Sequence, residues 1–227
     1  MNKISIFIHA AILNKCKERI IQYIQIIQES KLINNIDKIY ICFVGNENIP
    51  INNTDLINYN CNIKLIKVSN NLHDYEIPTL EYLYNFCKNN LNYNVLYLHT
   101  KNVGKELNHC IEDQIKYMLF FNVLKWEECQ KTLTNNNTCG VDLLIEPNMH
   151  YSGNFWWSKS SHISSLPSPL EFNNLEKFPN NLNSLRHNQE FWICYNKNNH
   201  YSLWNSNINC YERHLHLYPE EKYNFYI

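Results

Sequence analysis

The sequence predicts an α/β fold, a mostly parallel central sheet flanked by helices, followed by a less regular C-terminal half. Three observations predict it. Strand-length apolar runs alternate with longer stretches of helical period as far as about residue 145. Several of those runs are apolar on both faces, as in strands covered on both sides. After Pro147 the texture changes to aromatics, Ser, Pro and Asn, with room only for short elements.

In chain order, residues 4–9 form an apolar run of strand length. With no small-residue cleavage site, this start reads as a first strand and not as a signal peptide. Residues 15–30 place Ile20, Ile24 and Ile27 at helical spacing. Residues 38–44 are a second strand ended by Gly45, and 62–68 alternate like a third. Pro78 opens a helix whose apolar stripe is Leu80, Leu83, Tyr84 and Cys87. Residues 93–98 read as a buried strand. One long helix is expected over 111–133, with Ile111, Ile115, Met118, Leu119 and Val123 inward, then a strand over 141–145. The order β-α-β-β-α-β-α-β favours parallel pairing through crossovers. Nothing resembles a linker or a repeat, so a single domain over 1–227 is expected.

Composition removes several function classes. Lys and Arg number 20 against 21 Asp and Glu, a formal charge of −1, which argues against a broad cationic face for nucleic acid. No apolar run reaches the ~20 residues that span a bilayer. The 39 Asn residues reflect a compositional bias, and they make the sequons at Asn52 and Asn136 weak signals. Gly is scarce: with only Gly45, Gly104, Gly140 and Gly153, neither a G-x-G-x-x-G turn nor a P-loop can be written. Nine scattered Cys contain no C-x-x-C pair and suggest reduced thiols in a cytoplasmic setting.

In open α/β sheets ligands bind beyond the carboxyl ends of strands, so chemistry is sought there. The first strand ends in His9-Ala10-Ala11 and the fourth in His99-Thr100-Lys101. An imidazole, a hydroxyl and an ammonium at a strand end suit a diphosphate, although an ordinary strand exit reads the same way. His150-Tyr151-Ser152-Gly153-Asn154-Phe155-Trp156-Trp157 offers two indoles as a platform for a sugar ring, with His150, Ser152 and Asn154 as hydrogen-bonding groups. Neighbours on a strand face opposite sides, so at least one indole is expected in the core. Glu190, beside Phe191 and Trp192, is a candidate general base whose pKa apolar surroundings would raise. His214 and His216 would share one face if the tail were a strand. No H-E-x-x-H or Cys partner supports zinc, and no G-x-S-x-G supports a serine hydrolase.

The stretch Tyr75-Glu76-Ile77-Pro78-Thr79-Leu80, then Val95-Leu96-Tyr97-Leu98-His99-Thr100-Lys101, then His150 through Trp157, resembles a family of small glycosyltransferase-like proteins of bacteria and giant viruses, marked by "PTL…YLHTKG" and "HYSGNFWW". Glu190-Phe191-Trp192-Ile193 and the segment from Ser30 to Gly45 extend the resemblance over most of the chain. The resemblance implies a GT-A-like, Rossmann-type fold, with a donor-nucleotide half over 1–110 and a sugar and acceptor half over 111–227. It implies transfer of a sugar from a nucleotide-diphosphate donor, such as a UDP-sugar, to a hydroxyl of a glycan or glycoconjugate. By position it implies His9, Ala10, Thr79, His99, Thr100 and Lys101 around the donor, and His150, Asn154 and Trp156 around the sugar and acceptor; Ser152 and Trp157 of the aromatic segment are added to the acceptor side, and His214 to the donor side, on their own chemistry. Glu190 would be the catalytic base. Two departures stand out: Asn102 replaces the Gly that follows His-Thr-Lys, and no Asp-x-Asp exists to hold Mn²⁺ or Mg²⁺. Lys101, with His214, would then neutralise the leaving group. The alternatives are a non-catalytic carbohydrate-binding protein, a degenerate transferase scaffold and a methyltransferase. The last is disfavoured because no glycine-rich turn follows the first strand.

Overall fold

The computed structural model describes residues 2–59, 61–104, 106, 108–175, 185–209 and 211–224. Its centre is a seven-stranded, mostly parallel sheet in the order β3-β2-β1-β4-β8-β5-β9. The first four strands are β1 (Lys3–Ala11), β2 (Ile36–Val44), β3 (Ile63–Ser69) and β4 (Tyr93–His99). The ladders β1–β2, β1–β4 and β2–β3 are parallel. Beyond β4 lies β8 (Trp156–Lys159), antiparallel to both β4 and β5 (Thr138–Gly140), and β9 (His200–Ser202) then pairs parallel to β5.

The sheet separates two apolar cores, as the period of two in β1 requires. Ile4, Ile6, Ile8 and Ala10 face α1 (Cys16–Glu29), whose Ile20, Tyr23, Ile24 and Ile27 are buried against them. Phe7 faces the other side with Val95 and Tyr97 of β4 and with Leu80, Leu83 and Cys87 of α2 (Ile77–Asn89), the stripe expected after Pro78. The short helices α5 (Ser160–Ser165), α6 (Pro169–Leu175) and α7 (Leu185–Trp192) belong to this second side, where Ile163, Phe172 and Trp192 are buried.

Two expectations are corrected. The single helix over 111–133 is three pieces: α3 (His109–Leu119), a π-helical turn at Phe120–Leu124, and α4 (Trp126–Thr132). The Lys125 amide donates to the Phe120 carbonyl at 2.9 Å, the five-residue spacing of a π turn. No Gly or Pro marks the break. Within it the Asn122 carbonyl accepts the Trp157 indole N–H at 2.8 Å.

The strand expected over 141–145 instead lies earlier, at β5. Asp142 adopts a left-handed φ of 48° and turns the chain out of the sheet, where its carboxylate accepts from the Ser206 amide (2.5 Å) and hydroxyl (2.8 Å). Leu143–Leu144 (β6) then pairs with His150–Tyr151 (β7) in a separate two-stranded ribbon.

Trp157 is fully buried and spends its one donor on the helix break. Trp157→Ala is therefore expected to cost about 3–5 kcal/mol, from lost packing and an orphaned carbonyl. Urea unfolding checks this, and a loss under ~1 kcal/mol would show that the indole is not a keystone of this face.

Candidate functional site

A cleft of about 490 Å³ lies at the carboxyl ends of β1, β2 and β4. The parallel strands deliver His9 and Ala11, Val44, and His99 with Thr100 and Lys101 to one rim. The segment entering α2 supplies Leu72, His73, Tyr75 and Glu76 to the opposite wall. Ala11 N–H donates to Thr100 Oγ1 (3.2 Å) and the Thr100 amide donates to the His9 carbonyl (2.9 Å), which ties the ends of β1 and β4 together.

Glu76 is the centre of the polar half. It sits at the N-cap of α2, where its carbonyl accepts from the Thr79 and Leu80 amides, but its carboxylate makes no cap hydrogen bond. Instead Oε2 accepts from the Tyr97 hydroxyl (2.5 Å) and from Asn154 Nδ2 (2.8 Å), while Oε1 faces His99 Nδ1 at 3.8 Å. Burial raises its pKa, the negative charge of Glu190 pushes the same way, and His9, Tyr97 and Lys101 oppose. His99 Nε2–H and the Lys101 ammonium both donate to the Gly153 carbonyl, at 2.9 and 3.2 Å. Gly153 has φ +90°, and a Cβ there would meet Met118 Sδ at 2.5 Å. Glycine is thus required for the approach of α3, and the approach aims this carbonyl at the cationic groups.

Beside this centre lies a second charged group. Glu190 Oε1 is 3.9 Å from His187 Nδ1, and Oε2 is 4.0 Å from the Arg213 guanidinium. The expectation of a raised pKa is overturned here. Burial does push it up, but the His187 hydrogen bond and the charges of Arg213, Lys101 and His150 outweigh that and bring it down to about 2. A carboxylate so stabilised is a weak base.

The acceptor-side expectations are corrected as a group. Trp156 and Trp157 are buried on opposite faces of the sheet. Trp156 stacks on Tyr97 with centroids 4.9 Å apart. Neither indole offers a face to a sugar. His150, Ser152 and Asn154 are also buried. Asn154 braces Glu76 and accepts from the Trp156 indole N–H (2.8 Å). His150 donates from Nδ1 to the Asn148 carbonyl (2.7 Å), and the Ser152 amide donates to the Asp142 carbonyl. The segment is a packed brace behind the cleft because both faces of its strand are covered.

On the donor side, His9, His99, Thr100 and Lys101 line the cleft as expected, and three other residues do not. Ala10 points into the α1 core, so Ala11 takes the lining position. Thr79 is buried and acts through His9, its Oγ1 lying 2.9 Å from Nδ1. His214 is exposed in a turn, not a strand, and its neighbour Arg213 is the tail residue that reaches Glu190.

Backbone strain gathers here. Tyr75 has φ 48° and ψ −128°, and Asn102 and Asn154 both have φ 58°. Such conformations are sparsely populated outside glycine and cluster at functional sites. Asn102 thereby keeps the turn that Gly would make, and its Nδ2 donates to Glu112 Oε1 (2.9 Å). Tyr75 and Glu76 belong to the stretch that carries the resemblance but were not expected as site residues, and neither was Arg213. A Glu two residues before a helix-opening Pro reads as an ordinary acidic helix start. Among the described residues no three His, Cys, Asp or Glu side chains converge as a metal-binding set, and Glu76 and Glu190 are each engaged by donors of the protein itself.

Residues 5–204 match the family described as "Domain of unknown function (DUF8361)", and the chain belongs to that family. No curated protein matches. A crystal structure of a "putative nucleotide-diphospho-sugar transferase" from Desulfovibrio desulfuricans G20 aligns over 90% of this chain and 82% of its own, at 8% identity and a TM-score of 0.45. Among the described residues no helix is long and apolar enough to cross a membrane.

Burial, with a lesser opposing pull from Glu76, lowers the His9 pKa to about 4. Between about 4 and the unfolded value near 6.5 the unfolded chain binds the extra proton, so His9 withdraws stability as pH falls through that window. The expected loss is on the order of 3 kcal/mol. Histidine NMR should show the His9 ring neutral down to about pH 4, and a midpoint near 6.5 would contradict this burial.

Proposed function

We propose that this DUF8361 member is a glycosyltransferase that moves a sugar from a nucleoside-diphosphate donor to a hydroxyl of a glycan or glycoconjugate. The observation that carries this reading is the mixed lining of the cleft at the strand ends. Leu13, Val44, Leu72 and Tyr75 give it apolar and aromatic surface, and Glu76, His99, Thr100 and Lys101 give it charged and hydrogen-bonding groups. A nucleotide-sugar combines the same kinds of chemistry: a flat base, a charged diphosphate and a hydroxyl-rich ring. The resemblance noted in the sequence points the same way, to a GT-A-like enzyme.

In this reading the Tyr75 ring supports the base and the Lys101 ammonium meets the diphosphate. Glu76, with its raised pKa, replaces Glu190 as the base. It takes the proton of the acceptor hydroxyl while that oxygen bonds to the anomeric carbon. The bond from that carbon to the diphosphate oxygen breaks, and its electron pair leaves with the nucleoside diphosphate beside Lys101. A single displacement of this kind inverts the anomeric centre. Glu190 stays ionised and holds Arg213 and His187 in place. No step is assigned to a metal. The platform reading of a pure carbohydrate-binding protein loses its basis, because both indoles are buried.

Turnover of UDP-, GDP-, dTDP- and CDP-sugars, followed by release of the nucleoside diphosphate, tests the proposal. Glu76→Gln should lower turnover at least about 100-fold while donor affinity changes only a few-fold. Near-normal turnover in that variant would remove Glu76 as the base. Tyr75→Ala should weaken donor binding about tenfold, a change of ~1.4 kcal/mol. Unchanged affinity would place the base elsewhere.

A further inference from the structure

The two oxygens of the Glu76 carboxylate are not equivalent. Oε2 accepts from the Tyr97 hydroxyl (2.5 Å) and from Asn154 Nδ2 (2.8 Å), which engages both of its lone pairs. Oε1 faces His99 Nδ1 at 3.8 Å instead. A proton taken up by this carboxylate therefore goes to Oε1, beside the imidazole.

The orientation of that imidazole is fixed from three directions. Its Nε2 lies 2.9 Å from the Gly153 carbonyl, which can only accept, so Nε2 carries hydrogen and the neutral ring turns the Nδ1 lone pair toward Oε1. The Phe155 ring meets the imidazole edge-on, with centroids 5.4 Å apart. The Tyr23 hydroxyl donates to the His99 backbone carbonyl (3.0 Å) and holds the end of β4. The other titratable groups acting on Glu76 are His9, Tyr97, Lys101 and Glu190, and the charge of His99 bears on His9 in turn.

A carboxylic acid formed at Oε1 must lose its proton before the next turnover. Only 12% of the Glu76 side chain is exposed, and its Oε2 side is closed by two donors. His99 lines the cleft and so connects Oε1 with the open volume.

We propose that His99 is the positioning residue of Glu76: it makes Oε1 the working oxygen and receives the acceptor's proton from it at Nδ1. The inference rests on the transferase reading above. The acceptor O–H bond breaks as Oε1–H forms, and Oε1–H then breaks as Nδ1–H forms, which restores the carboxylate and leaves an imidazolium. The 3.8 Å gap must close to hydrogen-bond distance, as catalytic contacts often do only in the substrate complex. The imidazolium shares the Gly153 carbonyl with the Lys101 ammonium (3.2 Å), so the acceptor's proton becomes positive charge on the diphosphate side. Proton removal and leaving-group neutralisation are thereby linked through one ring, which returns its proton to water once the cleft empties.

Two arms test this. The first, nitrogen-15 NMR of the intact histidine-labelled chain, needs no turnover. His99 Nε2 should stay protonated throughout the titration, and Nδ1 should be the nitrogen that gains and loses the proton. In Glu76→Gln the amide oxygen can keep both partners of Oε2, and the Nδ1 midpoint should fall by at least ~0.5 unit, because no carboxylate favours the imidazolium. An unprotonated Nε2, or a midpoint that Glu76→Gln leaves in place, would overturn the relay. The second arm uses whichever donor turns over. His99→Gln retains an N–H for the Gly153 carbonyl and should lower kcat at least about tenfold, with donor KM within about twofold. An unchanged kcat, or a loss confined to KM, would also overturn it. If no sugar is transferred, the transferase reading fails, while the first arm still decides whether Glu76 and His99 are coupled. Where His99→Gln does not fold, the NMR comparison decides, since it uses only the wild-type chain and Glu76→Gln.

Discussion

A carboxylate with only 12% of its side chain exposed needs donors fixed by the fold, and Glu76 draws its donors from two distant parts of the chain. Tyr97 comes from the middle of β4, and Asn154 from the turn between β7 and β8. The same turn presents the Gly153 carbonyl to His99 and Lys101, so one tight corner fixes both the carboxylate and the cations of the cleft. Each constraint supports the next. Gly153 allows Met118 of α3 to approach, Asn154 takes a left-handed conformation, and Trp156 locks the Asn154 amide through its oxygen. The aromatic segment thus braces the side chains of the site from behind.

The charge arrangement follows from burial at short range. Glu76 and Glu190 repel one another, and Lys101 attracts both. Their surroundings then push the two carboxyl groups apart: Glu190, beside His187 and Arg213, falls to about 2, while Glu76 rises. Two carboxylates with opposed shifts in one site are able to divide the work, one staying ionised and the other exchanging a proton. The tail contributes through Arg213, whose charge also opposes the rise that burial imposes on the pKa of Asp142, the residue that turns the chain out of the sheet.

The sheet and its first helices were legible in the sequence because they rest on local apolar period. Strands β1, β2 and β4, the Ile20–Ile24–Ile27 face of α1 and the Leu80–Leu83–Cys87 stripe of α2 all answer to spacing alone. So did the cleft's position, since His99, Thr100 and Lys101 follow an apolar strand. What was not legible depends on partners far along the chain. The turn at Asp142 is held by Ser206, the break after α3 is occupied by Trp157, and the role of Glu76 rests on Tyr97 and Asn154. The Trp pair misled for a related reason. Adjacent strand residues face opposite sides, and only the packed structure shows that both sides are covered.

The most direct test of the account is whether the wild-type chain binds a nucleoside diphosphate, measured by thermal shift with UDP, GDP, dTDP and CDP and their sugar conjugates, with and without Mn²⁺. A ligand at 100 times its Kd adds about 2.7 kcal/mol to native stability, which gives a clear rise in the melting midpoint. The account predicts such a rise for one nucleotide class, larger for the diphosphate than for its free nucleoside, and abolished in the Lys101→Ala variant. Melting curves unmoved across the whole panel, with the protein confirmed folded, would contradict it.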